Sequence, residues 1–276
     1  MNKQLLRTLA CKTNGLCQDF TKQSRKTWNT LRKAEHLGLS ISEESITDFN
    51  LLELEQRHQH EIITRKFNRR RERQEGADWE WWLVSPGLFL GLRIQAKKID
   101  SQTLNYPHLG YSTPNGHQID ILIKEAVRSS PPKIPMYVLY SYWDHTTFYA
   151  AWPCRSHRRD IRMFGCSIVE ARALRSKIHQ GKTGLADIDY LLHPWSCMIC
   201  CNRPSPHKTA LSLRSFNFIS ETFADKSDFP YRTEEYVAKE PPWYVTAILE
   251  ERKLPESAGE EIGVDLVTII REKNDL

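Results

Sequence analysis

No stretch of this 276-residue chain is apolar over anything near the roughly 18 residues that a membrane-crossing helix requires. Mean hydropathy is −0.55, in keeping with a chain that leaves many side chains in water. The opening segment, MNKQLLRTLACKTNGLCQ, has neither a sustained apolar core nor a small-residue cleavage site. A cytoplasmic protein with no membrane partner is therefore expected. There is no Walker loop and no Gly-x-Gly-x-x-Gly, so the usual marks of nucleotide binding are missing. Internal repeats and low-complexity linkers are missing too, which argues against solenoids and extended linkers. Cysteine is sparse: seven residues, an odd number, thinly spread. That excludes a small disulfide-stapled scaffold and leads us to expect reduced thiols.

What is present begins with positive charge. The chain carries a formal net charge of +5, with a pI of about 8.8, which permits a polyanionic partner. Residues 65–73, RKFNRRRER, hold six cations; CRSHRRDIR at 154–162 holds four arginines and a histidine. Each run reads either as a solvated face or as a phosphate-binding track. In the second reading Arg65, Lys66, Arg69, Arg70, Arg71 and Arg73 contact nucleic acid.

With 40% hydrophobic residues, the chain suffices for one large domain, with or without an appended subdomain. Residues 16–37 have helical spacing, with Leu16, Phe20, Trp28, Leu31 and Leu37 as the expected buried stripe, closed by Gly38. Residues 42–67 read as one long helix capped by Ser42 or Ser45, burying Ile46, Phe49, Leu52 and Leu54. Two strands follow at 78–84 and 88–97, turned by Ser-Pro-Gly. Residues 117–130 form an amphipathic helix stopped by Pro131 and Pro132, and IPMYVLYSYW from 134 reads as a buried central strand. Residues 166–180 and 208–223 read as helices, and 243–250 and 264–270 as short strands. The expected fold is α/β, a mixed central sheet flanked by helices. It divides into an N-terminal helical extension (1–40), a core (41–180) and a C-terminal α+β extension (181–276) packed on the same domain.

Strand alternation puts Arg93, Gln95 and Lys97 on one face of the second strand, and Asp78 and Glu80 on one face of the first. Paired as a hairpin, the strands bring an acid, an amide oxygen and an ammonium together. Phosphodiester cleavage needs such groups: oxygen ligands for a divalent metal, and a cation beside the attacked phosphate.

The order Asp78…Gln95-Ala96-Lys97 on consecutive strands resembles the PD-(D/E)xK nuclease superfamily, in the Gln-x-Lys variant of Mrr-type restriction endonucleases. The resemblance covers residues 40–142 and implies a restriction-endonuclease-like core and Mg2+- or Mn2+-dependent endonuclease activity. By the same resemblance Asp78, Gln95, the Ala96 carbonyl and a helix acid hold the metal, and Lys97 assists the water. EESIT at 43–47 resembles the Glu-x-x-Thr start of that helix, which selects Glu44, with Glu53 as runner-up. Glu80 and Gln118 are further candidates; some members carry a glutamine on the helix after the lysine strand. DNA is favoured over RNA as substrate, and a bacterial anti-phage defence role is implied, with a homodimer or a defence partner protein. The chain lacks the separate DNA-reading domain of the Mrr pattern. The alternative is a degenerate fold of this kind that binds nucleic acid or protein without cutting.

Among the other features, WSCMICC supplies one Cys-x-x-Cys half of a zinc site, and His193 or His207 could add nitrogen. A second pair is missing, and Cys154 with His157 substitutes poorly, so packing is the expected role of these cysteines and structural zinc is not expected. No local motif marks a Cys-His nucleophile pair. Most Trp and Tyr residues fall in strands and read as core; His108 and Tyr111, in the loop after the lysine strand, are the better candidates to touch substrate.

Overall fold

The computed structural model describes residues 15–67, 77–144, 148, 150, 152, 157–200, 210–227, 231–255 and 257–272. Ten strands are present among them: β1 (Ile62–Lys66), β2 (Trp79–Ser85), β3 (Leu88–Lys98), β4 (Ser112–Thr113), β5 (Gly116–His117), β6 (Ile134–Tyr140), β7 (Cys166–Glu170), β8 (His193–Pro194), β9 (Val237–Ala238) and β10 (Leu266–Arg271). The main sheet runs β1-β10-β2-β3-β6-β7-β8, with β9 alongside β3. β10 is parallel to β2 and β3 to β6, while the other pairs are antiparallel. The fold is mixed α/β, as the alternation of helical and strand patterns predicts.

The β2–β3 hairpin forms where expected, with Trp79 opposite Ile94 and Glu80 opposite Arg93. Gly87 takes its turn at φ +67°, a left-handed conformation that glycine adopts without steric cost. Both strands are almost wholly buried, because sheet neighbours and helices cover them. Trp79, Trp81 and Trp82 lie in the core.

Four helices matter for the site: α1 (Gly15–His36), α2 (Glu43–Arg57), α3 (Gln118–Arg128) and α4 (Ala171–His179). Ser42 caps α2, its hydroxyl accepting from the Ser45 N–H at 3.2 Å. This helix ends at Arg57, well before the expected end at 67. Ile62, Ile63 and Thr64 are β-branched, and they leave it to pair as β1 with β10. Phe49, Leu52 and Leu37, expected inside, are exposed; Ile46 and Leu54 are buried as expected, and Leu51 joins them.

Two other elements differ from expectation. Residues 166–170 form β7 ahead of α4, with Glu170 capping α4 by accepting from the Ala173 N–H at 2.9 Å. Trp243–Leu249 is a helix, not a strand, starting after Pro242. The short strand expected at 264–270 forms as β10, and its place is in the sheet interior, between β1 and β2. Finally, Cys17 of α1 is joined to Cys200 by a disulfide, against the expectation of reduced thiols throughout.

Candidate functional site

The site forms where β3 ends and β2 begins. Asp78 stands just before β2; its N–H donates to the Ile94 carbonyl at 2.8 Å. That bond turns its carboxyl toward the next β3 residues. Asp78 Oδ2 accepts from the Ala96 N–H at 2.7 Å and from the Gln95 amide nitrogen at 2.7 Å. The same amide nitrogen is 3.4 Å from the Ala96 carbonyl oxygen. Gln95 and Lys97 share one face of β3 and both are buried. Among the described residues, no hydrogen bond or ion pair engages the Lys97 ammonium.

Desolvation pushes the Asp78 carboxyl up to about 6, despite the opposing pull of the Ala96 N–H, the Lys97 charge and the Gln95 amide, and nearby Glu43 raises it further. Asp78 thus has one ammonium and one further carboxylate within electrostatic reach. Glu43, the first residue of α2, accepts from the Lys98 N–H through Oε1 at 2.8 Å, which ties α2 to the end of β3. Among the acids of α2 it is Glu43 whose charge reaches Asp78, one position before the expected Glu44. Glu44 is exposed. Glu53 is turned toward α1, where it pairs with Lys26.

The remaining candidates divide. Gln118 opens α3, which packs on β3 and β6, and its Oε1 is buried without a partner among the described residues. The hydroxyl of Tyr137, directly across from Gln95 on β6, is likewise buried and unpartnered. Burial, with Asp78 and Asp120 nearby, drives that phenol far above its ordinary range. Glu80 does not join this group. It is fully buried, accepting from Arg93 at 3.2 Å, Lys133 at 3.1 Å, Trp82 Nε1 at 3.1 Å and Tyr244 at 2.6 Å. This also gives Arg93 a structural role, reinforced by its bonds to the carbonyls of Ile262 and Gly263 at 3.3 and 2.9 Å.

Of the basic run, Arg69, Arg70, Arg71 and Arg73 lie outside the described residues. Arg65 and Lys66 are exposed at the end of β1, and Lys66 pairs with Asp48 at 2.8 Å. Register carries that strand end to the site: Lys66 is level with Leu266 and Leu266 with Trp79. The chain of bonds from Phe67 to Asp265 (2.8 Å) and from Asp265 to Asp78 (3.2 Å) closes the same edge. Tyr111 is exposed. His193 sits between the rings of Phe218 and Phe223. His207, Cys154 and Cys201 lie outside the described residues.

The donor set suits a hard divalent cation. Gln95 Oε1 is buried and without a partner among the described residues, and amide oxygen and nitrogen exchange places by a simple flip. Flipped, the amide oxygen takes the nitrogen's position, 2.7 Å from Asp78 Oδ2 and 3.4 Å from the Ala96 oxygen. Adjacent ligands in an octahedral magnesium shell of about 2.1 Å radius are about 3.0 Å apart, between those two separations. Oxygens at such separations repel one another unless a cation lies between them.

No curated protein and no solved structure gives a match to the chain. A family model described as a family of unknown function, DUF6615, matches residues 16–275, which include every described residue of the site, and the chain belongs to that family.

Proposed function

We propose that the chain is a metal-dependent nuclease that hydrolyses phosphodiester bonds in nucleic acid, DNA ahead of RNA. One observation carries this reading: Asp78, the Gln95 amide and the Ala96 carbonyl converge within hydrogen-bonding distance, beside a buried lysine whose ammonium makes no hydrogen bond among the described residues. Asp78, Gln95, Ala96 and Glu43 would hold Mg2+ or Mn2+. When bound, such an ion supplies Lewis-acid polarisation of the phosphate and a lowered pKa for an attacking water.

The chain's own residues do the rest. The β3 backbone fixes the Ala96 carbonyl and, through the Ala96 N–H, the Asp78 carboxylate, so the geometry is set before substrate arrives. Lys97, buried on the same face of β3 as Gln95, faces the phosphate and offsets the negative charge that builds on it in the transition state. Arg65 and Lys66, at the same edge of the sheet, draw the phosphate backbone toward the site, an attraction that weakens with salt.

The test is cleavage of supercoiled plasmid and of labelled single-stranded DNA and RNA, with magnesium and with EDTA. Wild type should cut only with metal, and Asp78→Ala and Lys97→Ala should cut at least about 100-fold more slowly. If wild type and both variants behave alike, the reading fails. Retention of nucleic acid without cutting would favour the binding-module alternative.

A further inference from the structure

A second cluster, Cys17, His157 and Cys200, contains none of the residues of the nuclease-like site. Cys17 stands in the first turn of α1, Cys200 just after the short helix Ser196–Ile199, and His157 in the segment before the turn at Ile161–Gly165. His157 Nε2 is 3.6 Å from Cys17 Sγ and 3.7 Å from Cys200 Sγ. All three donor atoms lie within 4.8 Å of one another. The sulfurs are joined as a disulfide, yet a disulfide does not require a ring nitrogen directed at both of its sulfurs.

We propose that, in its reduced form, the chain binds a zinc ion through Cys17, His157 and Cys200. The nitrogen-to-sulfur separations are those of a tetrahedral centre, and the two sulfurs, bonded to each other here, part to about 3.8 Å on reduction. Zn–S bonds of about 2.3 Å and Zn–N bonds of about 2.05 Å place nitrogen and sulfur ligands about 3.6 Å apart, against 3.6 and 3.7 Å here. The ligands are also held independently of the metal. The His157 carbonyl accepts from Trp152 Nε1 at 3.2 Å. Asp160, three residues on, pairs with Arg25 of α1 at 2.8 Å, so the histidine segment is pinned to the helix that carries Cys17. Both cysteines are buried, which shields the site from bulk water. Cys17 lies where the dipole of a 22-residue helix favours negative charge. The fourth position is left to water or another donor.

Opening the site is a two-electron reduction. Two equivalents of a low-molecular-weight thiol break the Cys17–Cys200 bond and leave as their own disulfide, and each protein sulfur gains a proton. Zinc binding then releases both protons to solvent and takes the lone pair of neutral His157 Nε2. Reoxidation by a low-molecular-weight disulfide reverses this and expels the metal. The pair would thus be either a cross-link or a metal ligand set, according to redox poise.

The experiment uses the full chain, reduced with a phosphine and loaded with zinc or cobalt(II), then freed of excess metal. Elemental analysis should find about one zinc per reduced chain. Cobalt-loaded wild type should show thiolate-to-cobalt charge transfer and intense tetrahedral d–d bands, a readout that needs no variant. Cys200→Ser and His157→Ala should each lose most of the zinc, and oxidation of wild type should release it. The proposal is overturned if reduced wild type takes up no zinc and shows no charge-transfer band. It is equally overturned if zinc stays bound in both variants.

Discussion

Glu80 and Asp78 stand two residues apart at the start of one strand, opposite Arg93 and Gln95, two residues apart on the next. The two acids have opposite fates. Both oxygens of Glu80 are occupied, by Arg93, Lys133, Trp82 and Tyr244, and no room is left for a ligand. Asp78 meets an amide that has an unpartnered oxygen, a second acid in Glu43, and a lysine with no partner among the described residues. A closed buried network spends its polar groups on the fold. An open one, where buried polar atoms go unanswered at one place, is suited to something that arrives later.

The largest effects should come from breaking each half of this contrast. Glu80→Ala leaves Arg93 and Lys133 buried without their carboxylate and should cost about 3–5 kcal/mol of stability, read as a fall in the urea midpoint. Asp78→Asn keeps an oxygen for the Ala96 N–H and removes a desolvated charge, so it should unfold no earlier than wild type. If the two variants lose equal stability, the distinction between closed and open clusters collapses. In activity the order reverses. Lys97→Ala should lower single-turnover cleavage by about 10²–10³-fold, at a urea midpoint close to that of wild type.

Much of this was legible in the sequence, for physical reasons. The hairpin declares itself through alternation, and Ser-Pro-Gly marks its turn. Asp78, Gln95 and Lys97 could therefore be placed together before any coordinates. β1 was not visible because no glycine or proline separates it from α2; only its pairing with β10, some two hundred residues away, makes Ile62–Lys66 a strand. β7 was hidden for a related reason, since its last residue, Glu170, is also the cap of α4. Aromatic and β-branched residues made Trp243–Leu249 read as a strand, although Pro242 marks a helix start. Glu80 was grouped with Asp78 because alternation gives a face but not the partners waiting there.

The helix acid is the sharpest of these cases and gives a smaller prediction. Adjacent helical residues are about 100° apart around the axis, so choosing Glu44 over Glu43 points the carboxylate elsewhere. The choice depends on where the helix starts, which Ser42 sets as cap, and on the Lys98 N–H that Glu43 receives. Glu43→Gln should weaken magnesium dependence by about 10–100-fold, while Glu44→Gln should change it by about twofold or less. A magnesium titration of cleavage in the two variants checks this, and a larger loss in Glu44→Gln would return the role to the exposed residue.

An unpartnered buried atom is not by itself the mark of a site, and His193 shows the difference. Its Nε2 is buried without a partner among the described residues, but its surroundings are the rings of Phe218 and Phe223 and the charge of Lys226. Desolvation first, and Lys226 second, depress its pKa from 6.5 to about 3. The unfolded chain therefore binds a proton between those values that the folded chain refuses. Stability from this residue is present above about pH 6.5 and is lost as pH falls toward 3. Between pH 7 and 5.5 the loss should be about 1.3 kcal/mol, the linkage value for one histidine. Urea denaturation of wild type and His193→Leu at both pH values isolates the contribution, because other titrating groups cancel in the difference. A shallower pH slope in the variant would separate this solitary orphan, which only destabilises when protonated, from the clustered ones around Asp78. Parallel slopes would mean that the buried ring accepts a proton as readily as an exposed one.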